Sequence, residues 1–124
     1  MPFELEWEPR GVVRKYTGHL TVPEFLRSVE EVHSDWRFDS LLYSLNDFSG
    51  VEKIDVDRAA VETAAAHSIG AARSNRKLVL AIVATDPGVL ALAKLFASPP
   101  LSSYPTEFFG SVSEARAWLK ARFG

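Results

Sequence analysis

The fold is decided by one stretch, Leu78-Val79-Leu80-Ala81-Ile82-Val83-Ala84. An unbroken apolar run of this length, without alternating polar side chains, is typical of a parallel strand buried on both faces of a sheet. Asp86-Pro87 follows it and predicts a helix start, with aspartate as the cap and proline as the first helical residue. A buried strand that leads into a helix is the repeating unit of an α/β sheet.

The N-terminal segment predicts an antiparallel hairpin. Apolar residues alternate with glutamates over Phe3–Trp7, as in a half-exposed edge strand. Pro9-Arg10-Gly11 predicts the turn, and Val12–Thr17 the second strand. In that strand the period of two places Val13, Lys15 and Thr17 on one face and Val12, Arg14 and Tyr16 on the other.

Helical spacing and short β-rich runs alternate along the rest of the chain. The predicted elements are a helix from Val22, a strand at Leu41–Leu45, a helix at Arg58–Arg73, the strand at Leu78–Ala84, a helix at Pro87–Phe96, a strand at Thr106–Phe109 and a helix opening at Ser111–Glu114. The order β-β-α-β-α-β-α-β-α predicts a mixed, mostly parallel five-stranded sheet with an antiparallel N-terminal edge strand. Strands that are neighbours in sequence are expected to be neighbours in the sheet. The length of 124 residues predicts one domain, 1–124.

Polar residues predict the turns and helix starts between these elements. Thr21 and Glu24 form a capping-box pattern before the first helix. Asn46–Gly50 is rich in turn-forming residues and predicts a turn after the third strand. Either Asp55 or Asp57 is placed to cap the second helix. That helix is expected to bury the side with Val61, Ala65, Ile69 and Ala72.

Composition excludes several classes of function. The net charge of −2 argues against nucleic acid and against a polybasic membrane surface. The absence of cysteine excludes disulfides, thiol catalysis and thiolate zinc sites. The histidines do not have metal-binding spacing, and no cofactor is expected. No apolar run approaches a membrane span, so the expected location is cytoplasmic.

A resemblance to a known family rests on Asp47–Gly50 and Ile54-Asp55, which resemble the central motif of the STAS family. The chain is more closely similar to the SpoIIAA-like group of small bacterial proteins, also described as STAS/SEC14-like and mostly uncharacterised. Three further segments resemble that group: Arg73-Ser74-Asn75, Val83-Ala84-Thr85-Asp86-Pro87 and Ala115-Arg116-Ala117-Trp118-Leu119. The resemblance implies a STAS-like fold and a role as a binding module.

One position departs from the STAS pattern. The resemblance implies a serine just after the Ile-Asp pair that a partner kinase phosphorylates, but Val56 and Asp57 stand there. We therefore expect a non-catalytic module without the serine phospho-switch, which binds a protein partner or a second copy of itself as a homodimer. Asp57 is expected to act as a helix cap. The candidate partner-binding residues are Asp47, Ser49, Val51, Asp55, Val56 and Asp57.

Two alternatives stay open. The SEC14-like resemblance and the supply of aromatic residues favour a carrier or sensor of a small apolar or lipid ligand. Ligands of open α/β sheets bind at the carboxyl ends of the strands. Candidate pocket residues are therefore His19, Tyr43, Asn46, Thr85 and Asp86. The other alternative is an enzyme that uses His19 as a base with Asp47 or Asp86.

Further expectations concern side-chain burial. His33 and His67 are expected to be partly buried helix residues. Most of the aromatic residues are expected in the core, although some could line a pocket: Tyr16, Trp36, Tyr43, Phe96, Tyr104, Phe108 and Phe109. An exposed apolar patch along Asp47–Asp57 would favour a protein partner. An enclosed cavity would favour a carrier.

Overall fold

The computed structural model describes residues 3–124. Over this range the elements are β1 (Phe3–Trp7), β2 (Gly11–Thr21), α1 (Val22–His33), a short 3-10 helix (Phe38–Ser40), β3 (Tyr43–Asp55), α2 (Arg58–Ala71), β4 (Val79–Val83), α3 (Pro87–Phe96), β5 (Thr106–Phe109) and α4 (Val112–Phe123). The predicted element order is therefore confirmed.

The five strands form one sheet in the order β1-β2-β3-β4-β5. β1 runs antiparallel to β2, and every other neighbouring pair is parallel. The predicted mixed sheet, with sequence neighbours side by side, is confirmed. β4 lies between β3 and β5, and each of its residues is buried, as the apolar run predicted.

Helices cover both faces of the sheet. α4 packs against β3, β4 and β5 on one face, where Leu119 joins Val13, Leu45 and Ala81 in a buried cluster. The opposite face is covered by a layer of α1, α2 and α3. This three-helix layer faces the side of β2 that carries Val12. The two faces of the sheet therefore have separate cores.

β2 and β3 are longer than predicted, and the predicted turn at Asn46–Gly50 is wrong. The two strands stay paired from Gly11↔Tyr43 to Thr21↔Asp55, with two register shifts. The turn-forming side chains are used within the strand instead. The Asp47 carboxylate accepts hydrogen bonds from the Ser49 amide at 3.0 Å and from its hydroxyl at 2.6 Å. We call the paired segments 17–21 and 50–55 the β2–β3 extension, because they continue past the pairing of β4 with β3.

Three helices begin at the predicted caps. Asp57, rather than Asp55, caps α2 by accepting from the Ala60 amide at 2.9 Å. Asp86 caps α3 in the same way, and Ser111 caps α4. The Thr21 prediction is wrong, because its hydroxyl donates to the Glu24 carboxylate and no side chain caps α1. Pro23, near the start of α1, has no amide hydrogen, so one of the donors that a cap would satisfy is missing.

The buried side of α2 differs in part from the prediction. Ile69 is 46% exposed, although it was expected to face inward. The helix packs between α1 and α3, and small residues make this contact. The buried residues of α2 are Ala60, Val61, Ala64, Ala65 and Ser68.

A substitution at Gly11 tests how closely β2 packs on β3. A Cβ atom there would overlap the ring of Tyr43, its partner on β3. We expect Gly11→Ala to lower the free energy of unfolding by about 1–3 kcal/mol, the usual cost of overpacking. In a Tyr43→Ala background, where the ring is gone, the same change is expected to cost less. Urea denaturation of the four proteins measures the difference.

Gly70→Ala is the matched control, because a Cβ atom added at Gly70 on α2 would meet nothing within 4 Å. It is expected to raise stability by up to about 1 kcal/mol through its effect on helix propensity. An equal loss for Gly11→Ala with and without the Tyr43 ring would contradict the packing described here.

Candidate functional site

A cavity of about 70 Å³ lies between the sheet and the three-helix layer. It is lined from the sheet and its flanks by Arg14, Tyr16, Asn46, Phe48, Ile54, Val56, Leu78, Leu80, Ile82 and Tyr104, and from the helices by Phe25, Val29, His33, Val61, Ser68, Val89, Leu92, Ala93 and Phe96. One buried water requires about 10–15 Å³ of such cavity volume, so the space would hold about five waters. It is therefore large for a packing defect in so small a domain.

Polar and apolar groups are separated along the wall of the cavity. The lining residues that are only half-buried are, apart from His33, all apolar: Phe25, Phe48, Ile54, Val56, Leu92, Ala93 and Phe96. We call these residues the rim. The other polar lining residues are all buried: Arg14, Tyr16, Asn46, Ser68 and Tyr104. The cavity thus has an apolar rim and a buried polar part.

Arg14 is the most unusual residue of the buried polar part. It lies in the middle of β2, paired with Asn46 of β3, and is only 8% exposed. Its Nε atom is buried, and no atom of residues 3–124 accepts a hydrogen bond from it. Within residues 3–124 no carboxylate forms an ion pair with it. A buried charge without a counter-charge is costly, so its position calls for an explanation.

Tyr104 brings a second unsatisfied group to the cavity. Its side chain is buried, and within the described part of the chain its hydroxyl has no hydrogen-bond partner. Burial raises the pKa of Tyr104 to about 12, against a smaller opposing effect of the Arg14 charge. The hydroxyl is therefore protonated at neutral pH and has a proton to donate.

Tyr16 and Asn46, in contrast, are satisfied by the protein itself. The Tyr16 hydroxyl lies 2.7 Å from the Ser28 hydroxyl. The Asn46 amide nitrogen donates to the carbonyls of Ser44 and Ala81 at 3.2 and 3.4 Å. Among the residues that line the cavity, Arg14 and Tyr104 are therefore the two with unsatisfied buried atoms.

His33 adds a neutral ring. Burial lowers its pKa to about 3, with smaller contributions from the charges of Arg14 and His67. Its Nδ1 lies 2.6 Å from Nδ1 of His67, and the two rings stack at 4.8 Å. Phe38 contacts the His33 ring edge-on. At neutral pH, Arg14 is consequently the charged group of the cavity wall.

Comparison with known proteins identifies the fold. No known protein-family model and no curated protein matches the chain. Among solved structures, the unphosphorylated anti-sigma factor antagonist SpoIIAA is similar with a TM-score of 0.59 and 14% identity, over 98% of this chain and 99% of that one. The chain has the SpoIIAA-like fold.

Two further structures agree with this assignment. Phosphorylated SpoIIAA of Bacillus gives a TM-score of 0.56 at 16% identity, over 94% of this chain and 98% of that one. An uncharacterised protein of the DUF3478 family with a SpoIIAA-like fold, from Shewanella loihica PV-4, gives 0.53 at 14% identity, over 94% and 91%. The likeness implied by the sequence motifs is thus confirmed for the fold.

The predicted pocket residues of this SpoIIAA-like domain do not come together at one place. Asn46 lines the cavity, whereas Tyr43 lies on the α4 side of the sheet, where its ring stacks on Phe123 and its hydroxyl donates to Glu8. Asp86 is occupied as the cap of α3, and Thr85 before it is exposed.

His19 lies on the β2–β3 extension and contacts a different acid from those considered. Its Nε2 is 2.5 Å from the carboxylate of Asp55, and both side chains are about half exposed. Asp47 is bonded to Ser49 and Asp86 to the start of α3. Neither of these two acids is therefore a partner of His19 in this arrangement.

The candidate partner-binding residues divide by exposure. Ser49, Asp55 and Asp57 are exposed, Val51 and Val56 are half-buried, and Asp47 is buried. Val56 belongs to the rim of the cavity. The segment therefore presents polar side chains outward and apolar side chains to the protein.

Sequence reasoning missed Arg14 as a site residue, although the signal was present. Alternation along β2 places Arg14 between Val12 and Tyr16 on one face of the strand, and both neighbours are buried. When the residues at i−2 and i+2 of an interior strand are apolar, a charged residue between them is expected to be buried with them. Tyr104 was named among possible pocket aromatics, but without a role for its hydroxyl.

Two other kinds of feature are absent from residues 3–124. No group of three or more His, Asp or Glu side chains there is arranged to hold a metal ion. None of the helices in that range has both the length and the apolar composition to cross a bilayer.

The buried His33 ring predicts a pH dependence of stability. Because its pKa is near 3 in the folded protein and near 6.5 in the unfolded chain, protonation favours unfolding between these values. Stability is fully present above about pH 6.5 and falls as the pH decreases, by about 2 kcal/mol at pH 5. Urea denaturation at pH 7 and pH 5 measures this loss.

His33→Gln is expected to lose less stability over the same range, because no imidazole is left to protonate. Lys94→Gln, at an exposed position on α3, serves as the control and should lose as much as the unaltered protein. An unchanged pH dependence in His33→Gln would contradict this assignment.

Proposed function

We propose that this domain is a carrier or sensor of a small, largely apolar organic molecule, which binds in the cavity between the sheet and the three-helix layer. The observation that carries the proposal is the cavity itself, with its half-buried apolar rim and its buried polar part. Ligand sites are typically concave and apolar, with a few polar groups that fix orientation.

The size of the cavity limits the class of molecule. Pockets for drug-sized ligands have volumes of about 300–1,000 Å³. The space here, about 70 Å³, suits a single ring or a short alkyl chain. Because the rim residues are half-buried, a longer chain would extend between them toward solvent.

The distribution of apolar side chains also favours a small molecule over a protein surface on Asp47–Asp57. Within residues 3–124 the large exposed hydrophobic residues are Trp36 and Ile69, and both lie outside that segment. Phe48 and Ile54, which belong to it, line the cavity. The segment therefore contributes its apolar residues to the interior.

A titration of ¹⁵N-labelled protein with 1-octanol tests the proposal. We expect amide shifts to concentrate at the lining residues of α1, α3 and β3. Ala93→Trp should abolish them, because Ala93 lines the cavity and an indole would fill the space. Ala91→Trp on the same helix is the matched control, since Ala91 is exposed and should leave binding unchanged.

Shifts that are scattered over the surface, or that persist equally in Ala93→Trp, would contradict binding in the cavity. Native mass spectrometry of protein purified without detergent gives an independent measurement. It is expected to reveal an added mass that Ala93→Trp lacks and Ala91→Trp keeps.

A second candidate function is binding of a protein partner, or self-association, through the exposed polar residues of Asp47–Asp57. The likeness to an anti-sigma factor antagonist favours it. Val56 and Asp57 at the expected serine positions support a module without the phospho-switch. Sedimentation velocity over a wide concentration range tests self-association, and a monomer throughout would exclude the homodimer. The single domain 1–124 and the cytoplasmic location stay predictions of the sequence.

A further inference from the structure

The charge balance of the cavity wall points to the chemistry of its ligand. None of the lining residues is an aspartate or a glutamate. His33 is neutral at neutral pH, because burial holds its pKa near 3. The guanidinium of Arg14 therefore leaves the cavity with one net positive charge.

Arg14 and Tyr104 each hold a buried donor atom for which residues 3–124 supply no acceptor. The Arg14 Nε and the Tyr104 hydroxyl are both buried and unpartnered, and both residues line this one cavity. The Arg14 charge acts on the pKa values of both Tyr104 and His33, as expected of groups that lie close together. A ligand acceptor group that reaches both atoms from the cavity would satisfy both donors.

We propose that the molecule bound in the cavity is an amphipathic monocarboxylate. Its carboxylate accepts from the guanidinium of Arg14 and the hydroxyl of Tyr104, and its apolar part extends along the rim. This inference rests on the proposed function and specifies the ligand class for the same site.

A single carboxylate fits the donors better than a larger anion. Arginine is suited to carboxylates because its planar donors match the two oxygens. One guanidinium balances one negative charge, whereas a phosphate dianion would bring a second charge and a third oxygen into a wall that offers no second cation. Burial away from water strengthens the charge-assisted hydrogen bonds.

Two matched ligand pairs test the inference, octanoate with 1-octanol and benzoate with benzyl alcohol. Each pair keeps the apolar part and changes the charge of the head group. Dissociation constants from amide-shift titrations at pH 7.5 are expected to favour the carboxylate by tenfold or more in at least one pair. Acetate and chloride, which lack the apolar part, are expected to bind far more weakly than octanoate.

Three variants assign the preference to its residues. Arg14→Met removes the charge while keeping an unbranched side chain, and is expected to abolish the preference for octanoate over octanol. Tyr104→Phe is expected to weaken octanoate several-fold and to weaken octanol less, because a hydrogen bond to a carboxylate is stronger than one to a neutral hydroxyl. Arg76→Met, at an exposed arginine, is the control and should change neither affinity.

Stability of the ligand-free protein gives a second readout. Because an unpaired buried charge is destabilising, Arg14→Met is expected to raise the melting temperature without ligand. Octanoate is then expected to raise the melting temperature of the unaltered protein more than that of Arg14→Met. A lower melting temperature in ligand-free Arg14→Met would contradict an unpaired charge at this position.

The outcomes separate the two proposals. Octanol binding that Ala93→Trp abolishes, together with equal affinity for the acid and the alcohol, overturns the carboxylate inference and leaves the proposed function standing. Acetate or chloride binding as tight as octanoate overturns the inference in favour of a simple anion site. If neither member of either pair binds the unaltered protein, both proposals fail.

Discussion

A sheet covered by helices on both faces leaves no water for the polar side chains of its interior strands, and this constraint governs the rest of the molecule. It explains why every residue of β4 is apolar and buried. It also requires that a buried polar side chain on β2 or β3 find its partners within the protein. Asn46 does so through backbone carbonyls. Arg14, its neighbour on β2, has a buried Nε to which residues 3–124 offer no partner, and this exception is the basis for proposing the cavity as a binding site.

Much of the fold was predictable because its signals are local. The apolar run of β4, the alternation of β1 and the aspartate caps at Asp57 and Asp86 each follow from a few adjacent residues. The turn prediction at Asn46–Gly50 failed because β3 stays paired with β2 through this segment and as far as Asp55. The Asp47 carboxylate accepts a hydrogen bond from the Ser49 amide within that strand. That long-range pairing has no signal within the segment.

The candidate site was harder to predict than the fold. The rule that ligands bind at the carboxyl ends of parallel strands pointed to residues such as His19 and Asp86. In the structure His19 contacts Asp55, and Asp86 caps α3. The cavity lies instead between the sheet and the three-helix layer, and its walls come from residues far apart in sequence. Its location depends on how helices pack, which spacing alone does not determine. This SpoIIAA-like fold thus holds a cavity in its core, and Val56, at one of the two positions where the STAS resemblance places the switch, contributes to its rim.

The central claim is that Arg14 is a buried cation whose counter-charge is supplied by a ligand. A crystal structure of the protein with bound octanoate tests it most directly. We expect the carboxylate to lie within hydrogen-bond distance of the Arg14 guanidinium and the Tyr104 hydroxyl, with the alkyl chain along the rim. Octanoate bound in the cavity with its head group directed to solvent, or Arg14 paired with a carboxylate of the chain itself, would contradict the account.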